Sequence, residues 1–339
     1  YQWHIEKTSG NFLFKYSQYL ADQYYDPNDL GYLKRNNDFQ NRLDLHYDIY
    51  EPFWKIFNMK NTLTYVDRRI YKTLNFASST INFSSFVLFE NYLSMRAHIK
   101  FSPVDEKDYY EARTQDAVFI RPRAFSVMVS ASPDYRKTFA PDSRIEYRYS
   151  GYYNENTWKT ALTPRIRISN KMMLIPGINY LAEINNPGFV RSADSITNNK
   201  IIFGIRDRKT LTNTISSSYI FNKDASVSLR FRHYWSRVNY SSFRTLDGEG
   251  YLDESEYSGN HDINYNAFNI DLIYTWQFLP GSEMSVAWKN SIYTPEDKQS
   301  EIMDNYFNNL ENTFNLSQSN SFSVKILYYI DYQNIAGKV

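Results

Sequence analysis

Apolar and polar side chains alternate with period two through most of this chain, and that pattern confines it to β architectures. At 42–49, Leu43, Leu45, Tyr47 and Ile49 alternate with Arg42, Asp44, His46 and Asp48. At 92–101, Leu93, Met95, Ala97, Ile99 and Phe101 alternate with Tyr92, Ser94, Arg96, His98 and Lys100. The pattern recurs at 144–149, 162–168, 225–232, 268–278, 284–289 and 322–332. Successive side chains of a strand point to opposite faces, so each segment has one apolar and one polar face. Less regular strands at 11–20, 54–66, 80–90, 118–131, 172–184, 200–207 and 211–221 bring the expected total to about 14–15. Pro122 and Pro164 fall inside strand-like runs and demand bulges or missing ladder bonds there.

A soluble sandwich with its apolar faces inward would show the same alternation. Three features favour an antiparallel, up-and-down transmembrane β-barrel. Many segments reach ten residues, against a globular norm of about 5–6. Aromatic residues, 18% of the chain, gather near strand ends, as at Tyr147 and Tyr149, Tyr234 and Trp235, and Trp276 and Phe278. Interfacial girdles need such rings. The polar face is charged, as a wet lumen allows: Arg96, Lys100, Arg165, Arg167, Arg230, Arg232, Asp271 and Lys289 are its expected lining. The longest apolar runs, such as Met172–Ile175, fall far short of the ~20 residues of a membrane helix. Closed barrels remain open to such a chain, because they satisfy every backbone group within the wall.

Charge and composition remove several function classes. Lys plus Arg is 38 and Asp plus Glu is 37, a net charge of +1, which gives no basis for a nucleic-acid partner. Cys is zero, so disulfides, thiolate metal sites and a cysteine nucleophile are excluded. None of the five histidines has metal-ligand spacing, and no phosphate-binding glycine loop occurs, so no cofactor or metal is expected. His46, between Asp44 and Asp48, reads as a solvated lumen histidine or as a small acid/base cluster. His261-Asp262 would suit a hydrolase at a barrel mouth, yet no serine is placed with it by any sequence rule. No catalytic residue is assigned. Arg121, Arg123, Arg165, Arg167, Arg230 and Arg232 read either as lumen salt bridges with Glu146, Glu183 and Asp271, or as a basic ladder guiding anions or glycans.

Connections come in two sizes. Phe221–Asp224, Leu279–Ser282 and Ser169–Lys171 are tight turns, whereas 103–117, 241–263 and 293–319 are long loops and 185–199 is intermediate. Short turns on one side and long loops on the other is the outer-membrane arrangement. Two strands separate 241–263 from 293–319, so these loops are expected on the same side. Within 293–319, Thr294-Pro295-Glu296-Asp297 reads as a helix start. Ile302, Met303, Tyr306, Phe307, Leu310 and Phe314 follow at helical spacing. They form either the packed face of a rim helix or a surface that docks a partner.

Several stretches resemble one family. They are Tyr25-Asp26-Pro27-Asn28-Asp29-Leu30-Gly31-Tyr32-Leu33 with Asn36-Asn37, Phe203-Gly204-Ile205-Arg206-Asp207-Arg208-Lys209-Thr210, Leu279–Lys289, and Leu327–Tyr332. They are similar to the C-terminal region of large Bacteroidota envelope proteins catalogued as domain of unknown function 5916, whose members carry an N-terminal carbohydrate-binding family-9-like sandwich. The resemblance implies an outer-membrane barrel over residues 1–339, as the C-terminal part of a longer protein. Its implied partners are the lipid bilayer, lipopolysaccharide, other outer-membrane proteins and glycans. The expected role is that of an anchor or subunit of a surface complex handling glycans or exported proteins. A wide pore for oligosaccharides or nutrients and a barrel-mouth hydrolase are the alternatives.

Overall fold

Backbone pairing in the computed structural model, which describes residues 1–26, 36–192, 200–295 and 305–330, follows the alternation strand by strand. The strands are β1 (Gln2–Glu6), β2 (Phe12–Ala21), β3 (Asp38–Ile49), β4 (Ile56–Ile70), β5 (Phe76–Phe89), β6 (Ser94–Ser102), β7 (Glu106–Asp108), β8 (Phe119–Arg121) and β9 (Ala124–Ser132). They continue with β10 (Phe139–Ser150), β11 (Glu155–Arg167), β12 (Met172–Arg191), β13 (Ile202–Asn222), β14 (Ala225–Leu246), β15 (Leu252–Glu254), β16 (Ile263–Leu279), β17 (Ser282–Tyr293) and β18 (Gln318–Leu327). One helix, α1 (Tyr306–Phe314), precedes β18. A single antiparallel sheet of 16 strands runs from β1 to β18, with β15 attached only to β14, and β7 and β8 form a separate hairpin. No ladder joins β1 to β18 among the described residues, so the sheet is an open path.

Residues directly opposite on antiparallel strands share a face, so register sorts the side chains of the whole sheet. Phe14, Leu45, Leu63, Phe83, Ile99, Val127, Tyr147 and Trp158 form one row across neighbouring strands. Leu229, Leu272, Trp288 and Phe322 form another on the same face. That apolar face is open: Leu63, Phe83, Ile99, Ile145, Leu162 and Ile215 are all exposed. The opposite face buries polar groups, among them Ser17, Asp44, Thr64, Ser126, Thr157 and Thr210. A soluble sandwich would show the reverse. The apolar core is a small knot at one end, with Ala112, Phe119, Phe203, Ile205 and Leu252.

The sheet curls with its polar face inside. The Tyr110 hydroxyl donates to the carbonyl of Asn36, just before β3, and the adjacent Glu111 carboxylate accepts the Phe189 N–H on β12. On a flat sheet β3 and β12 would lie seven steps, ~34 Å, apart. Neighbouring Cα atoms are only ~3.8 Å apart, and two side chains do not make up the difference. The segment that spans this gap lies over Asp38, Arg68 and Ser78, which belong to the polar face. The exposed apolar face is therefore convex.

All connections at one end of the strands are short: 7–11, 50–55, 90–93, 133–138, 168–171, 223–224 and 280–281. The other end carries 22–37, 103–123, 192–201, 247–262 and 294–317, with the shorter 71–75 and 151–154. The loops between β14 and β16 and between β17 and β18 thus share a side, as their strand spacing predicts.

Several boundaries differ from the sequence reading. The 118–131 run is two strands, because Pro122 interrupts it. Pro164 stays within β11, and the β11–β12 ladder skips from Leu162↔Ile178 to Ile166↔Leu174 around it. The intermediate loop at 185–199 begins as strand: β12 runs on to Arg191 by absorbing Asn185, at φ 55°, in a bulge, and 193–199 lie outside the described residues. β13 joins two expected strands, and β14 extends to Leu246, so the 241–263 loop begins later than expected.

Helix α1 starts at Tyr306, where the Asn305 side chain caps the Phe307 and Asn308 N–H groups. The expected start at Thr294 falls mostly outside the described residues, and the Thr294 hydroxyl instead accepts the Asn266 N–H. α1 is a strap on the convex wall near the long-loop end, not a cover over the opening. Tyr306 meets Asn213 and His233, and Phe314 packs on Phe268. Asn309 accepts amide hydrogen bonds from Asn264 and Asn266, donates one back to Asn266, and is buried with them. Replacing Asn309 with Ala leaves the buried Asn266 amide without this partner. The expected loss is about 1–3 kcal/mol, read as a lower urea midpoint and proteolysis near α1 at lower urea than in the wild type.

Candidate functional site: a charged concave wall and its inward hairpin

The eight charged positions expected to line a lumen all fall on the concave face in the register. Arg96 and Lys100 lie on β6, with the Arg96 guanidinium 5.5 Å from the Phe86 ring centroid. Arg165 on β11 reaches Asp142 at 3.3 Å and covers the Tyr135 ring at 4.2 Å. Arg167 sits opposite Met173 at the short-turn end. Arg230 and Arg232 on β14 face Asp271 and Asn269 of β16, and Lys289 of β17 reaches Asp271 at 3.9 Å. Arg230, Asp271 and Lys289 line two adjoining cavities of about 400 and 460 Å³.

Salt bridges form on the concave face, but with different partners from those the sequence suggested. Glu146 takes Arg144 and Lys159, and Glu183 takes Arg208. The cause is register: Lys159 stands directly across from Glu146, and Arg208 across from Glu183. Arg230 and Arg232 have no ion pair among the described residues. The Arg232 guanidinium lies 5.7 Å from the Tyr234 ring centroid. The part of the wall on β6, β9, β10 and β11 carries a further cavity of about 220 Å³, lined by Lys100, Arg121, Glu146, Arg148 and Lys159.

The most built part of the site was not visible in the sequence. Residues 103–123, read largely as a loop, fold inward as the β7–β8 hairpin. Arg121 donates from Nε to Asp108 at 2.9 Å and from Nη2 to Glu111 at 3.0 Å. Asp108 also accepts the N–H groups of Tyr110 and Glu111 at 2.9 and 3.0 Å. Burial pushes the Asp108 carboxyl up, but these donors, Arg121 foremost, hold it below the usual carboxylate range. Beyond the ion pairs, the Phe119 ring packs at a tilt 4.8 Å from Phe203, and Arg113 lies 4.8 Å from the Phe189 ring centroid. The Ile120 N–H donates to the carbonyl of Gly250 at 2.8 Å. Gly250 has φ 97°, and a Cβ there would sit 2.7 Å from the Val118 carbonyl oxygen. The one sequence signal was Val118-Phe119-Ile120, an apolar triplet after a polar loop. A cavity of about 340 Å³ remains between the hairpin and the β3–β5 wall.

The histidine readings resolve into local pairs. His46 meets Thr62 at 3.0 Å, while Asp44 is held by Arg42 and Thr64. His261 meets the Tyr257 hydroxyl at 2.8 Å and packs on Tyr240 and Phe243; Asp262 accepts from the Tyr240 N–H. Of the residues expected to dock a partner, Tyr306 is spent on Asn213 and His233, Phe314 is partly covered by Phe268, and Phe307 is 74% exposed. Leu310 is half-buried. Ile302 and Met303 lie outside the described residues. Asn309 and Thr313, which the apolar spacing did not mark, are the buried positions of α1.

A family model described as a domain of unknown function, DUF5916, matches residues 1–339. The chain belongs to that family. No curated protein matches it. In this DUF5916 chain the match covers the full set of strands, the inward hairpin and α1 alike.

The hairpin should respond to acid with a definite sign. A carboxyl depressed in the folded state stabilises above its ordinary value of 3.8, and that stabilisation is lost as pH falls through the depressed value. A spin label at Lys107 should therefore be immobile at pH 7 and mobilise only below the ordinary carboxylate range. Asp108→Asn should mobilise it at pH 7, at a cost of about 3 kcal/mol for breaking a largely buried pair.

Proposed function

We propose that this sheet is the wall of a transmembrane β-barrel in the outer membrane of a bacterium, a Bacteroidota member by family resemblance. There the protein serves as an anchor or subunit of a cell-surface complex. The observation that carries the reading is the exposed apolar convex face, continuous over the strand path and backed by a polar concave one. Such a band belongs against lipid, and the short turns then face the periplasm and the long loops the exterior. Lipid and lipopolysaccharide are the partners of that face, and α1 lies against its outer end. Other proteins of the complex meet the long-loop side, where Phe307 is exposed. Glycan or exported protein as the material handled rests on family analogy alone.

An anchoring role is favoured over an open channel by the β7–β8 hairpin, which crosses the curl and bonds to both of its sides. A second reading, a pore for oligosaccharides or nutrients, draws on the cavities beside Arg230 and Lys289. Planar-bilayer recording of the intact protein separates them. An anchor with a filled lumen should show little conductance, rising at least tenfold when 106–121 is replaced by a short linker. High conductance of the intact protein, unchanged by that deletion, would establish the pore instead.

A further inference from the structure

The two free edges of the sheet run in the same direction. Fifteen strands lie on the path from β1 to β18, and direction reverses at every step. β1 runs from the long-loop side to the short-turn side, and so does β18. Paired with each other, they would make a parallel seam in a wall that is antiparallel everywhere else. A second copy does not cure this, because in the same membrane orientation its edges also run downward and would pair in parallel.

Left unpaired, these edges are not compatible with lipid, where the wall must satisfy every backbone group. β18 also lacks the devices that blunt a natural edge, such as a bulge, a proline or a charge turned outward. Its pairing with β17 is unbroken from Glu283↔Leu327 to Ile292↔Gln318, and its one lysine, Lys325, lies on the concave face opposite Ser285. On its convex face Phe322, Val324 and Ile326 are 75%, 64% and 62% exposed, whereas Val286 beside them on β17 is 36% exposed. The edge has the chemistry of an interior strand with one neighbour missing.

Resting on the membrane reading above, we infer that the wall is completed by an odd number of further strands, in the simplest case one. That strand runs from the short-turn side to the long-loop side and pairs antiparallel with β18 and β1 together. It is about 9–11 residues long, with apolar side chains outward beside Val324 and Ile5 and polar ones inward beside Lys325 and His4. Every neighbour along the path is the next wall strand in sequence. By the same rule the closing strand belongs to the same polypeptide and enters by a hairpin at the long-loop end of β1. The ladder holds firm to that point: the Leu20 N–H donates to the Tyr1 carbonyl at 2.8 Å.

Cysteine pairs in the full-length polypeptide in its own membrane test this, with one cysteine at Trp3 or Ile5 and the other at Phe322, Val324 or Ile326. One intervening strand holds the edges two steps, ~10 Å, apart. Oxidation should then give no disulfide, which needs Cβ atoms ~4 Å apart, while a bismaleimide matched to the wider gap should link them. Electron cryo-microscopy of the same protein should show an odd number of strands in the gap, traced to residues joined to Tyr1. A direct disulfide, an even number of strands, or a closing strand traced to another polypeptide or to 331–339 would each overturn the inference. Liposome flotation is scored separately. A protein that does not float overturns the membrane reading, and the cross-links then still decide whether a strand fills the gap.

Discussion

Antiparallel register, carried without interruption from strand to strand, is the interaction on which the rest of this structure depends. Each ladder places directly opposite residues on a common face, so one alternating strand dictates the alternation of its neighbour. Slipping a single strand by one residue would put lysines and arginines among phenylalanines. The few register shifts are confined to strand ends or to the long-loop extensions of β12–β14, outside the rows that form the apolar face. The wall is thus held by backbone hydrogen bonds and cross-strand pairs, with little help from an apolar core.

Curvature follows from what the polar face holds. The β7–β8 hairpin bonds to β3–β5 on one side and β12–β13 on the other, and that reach exists only because the sheet bends around it. On that face Glu146 and Glu183 are each met by the cation directly across in the register, Lys159 and Arg208. The surplus cations, Arg230, Arg232 and Lys289 with the one acid Asp271, lie away from the hairpin beside the β18 edge. An anion travelling along the wall would meet them there.

Strands were legible because period two needs no partner to be seen. The eight charged positions of the concave face came from parity alone. Three things were hidden because their causes are remote in sequence. Asn185-Asn186-Pro187-Gly188 reads as a turn, yet a bulge at Asn185, whose N–H donates to Asp207, lets β12 continue. The inward course of 103–123 depends on Glu111 meeting Phe189, a contact no local pattern announces. The packed side of α1 is polar, with Asn309 and Thr313 buried, so a search for apolar spacing picked the neighbouring stripe, where Phe307 is exposed. A helix docked by amides on a strand surface leaves no hydrophobic signature.

The central claim, that the convex face meets lipid and the concave face water, is tested most directly by spin labels placed singly from Phe268 to Trp276 in protein reconstituted into liposomes. Oxygen, which concentrates in lipid, should relax labels at Ile270, Leu272 and Tyr274. A water-soluble nickel chelate should relax those at Asn269, Asp271 and Ile273, giving two period-two profiles out of phase. Profiles in phase, or nickel access equal at Leu272 and Asp271, would contradict the account.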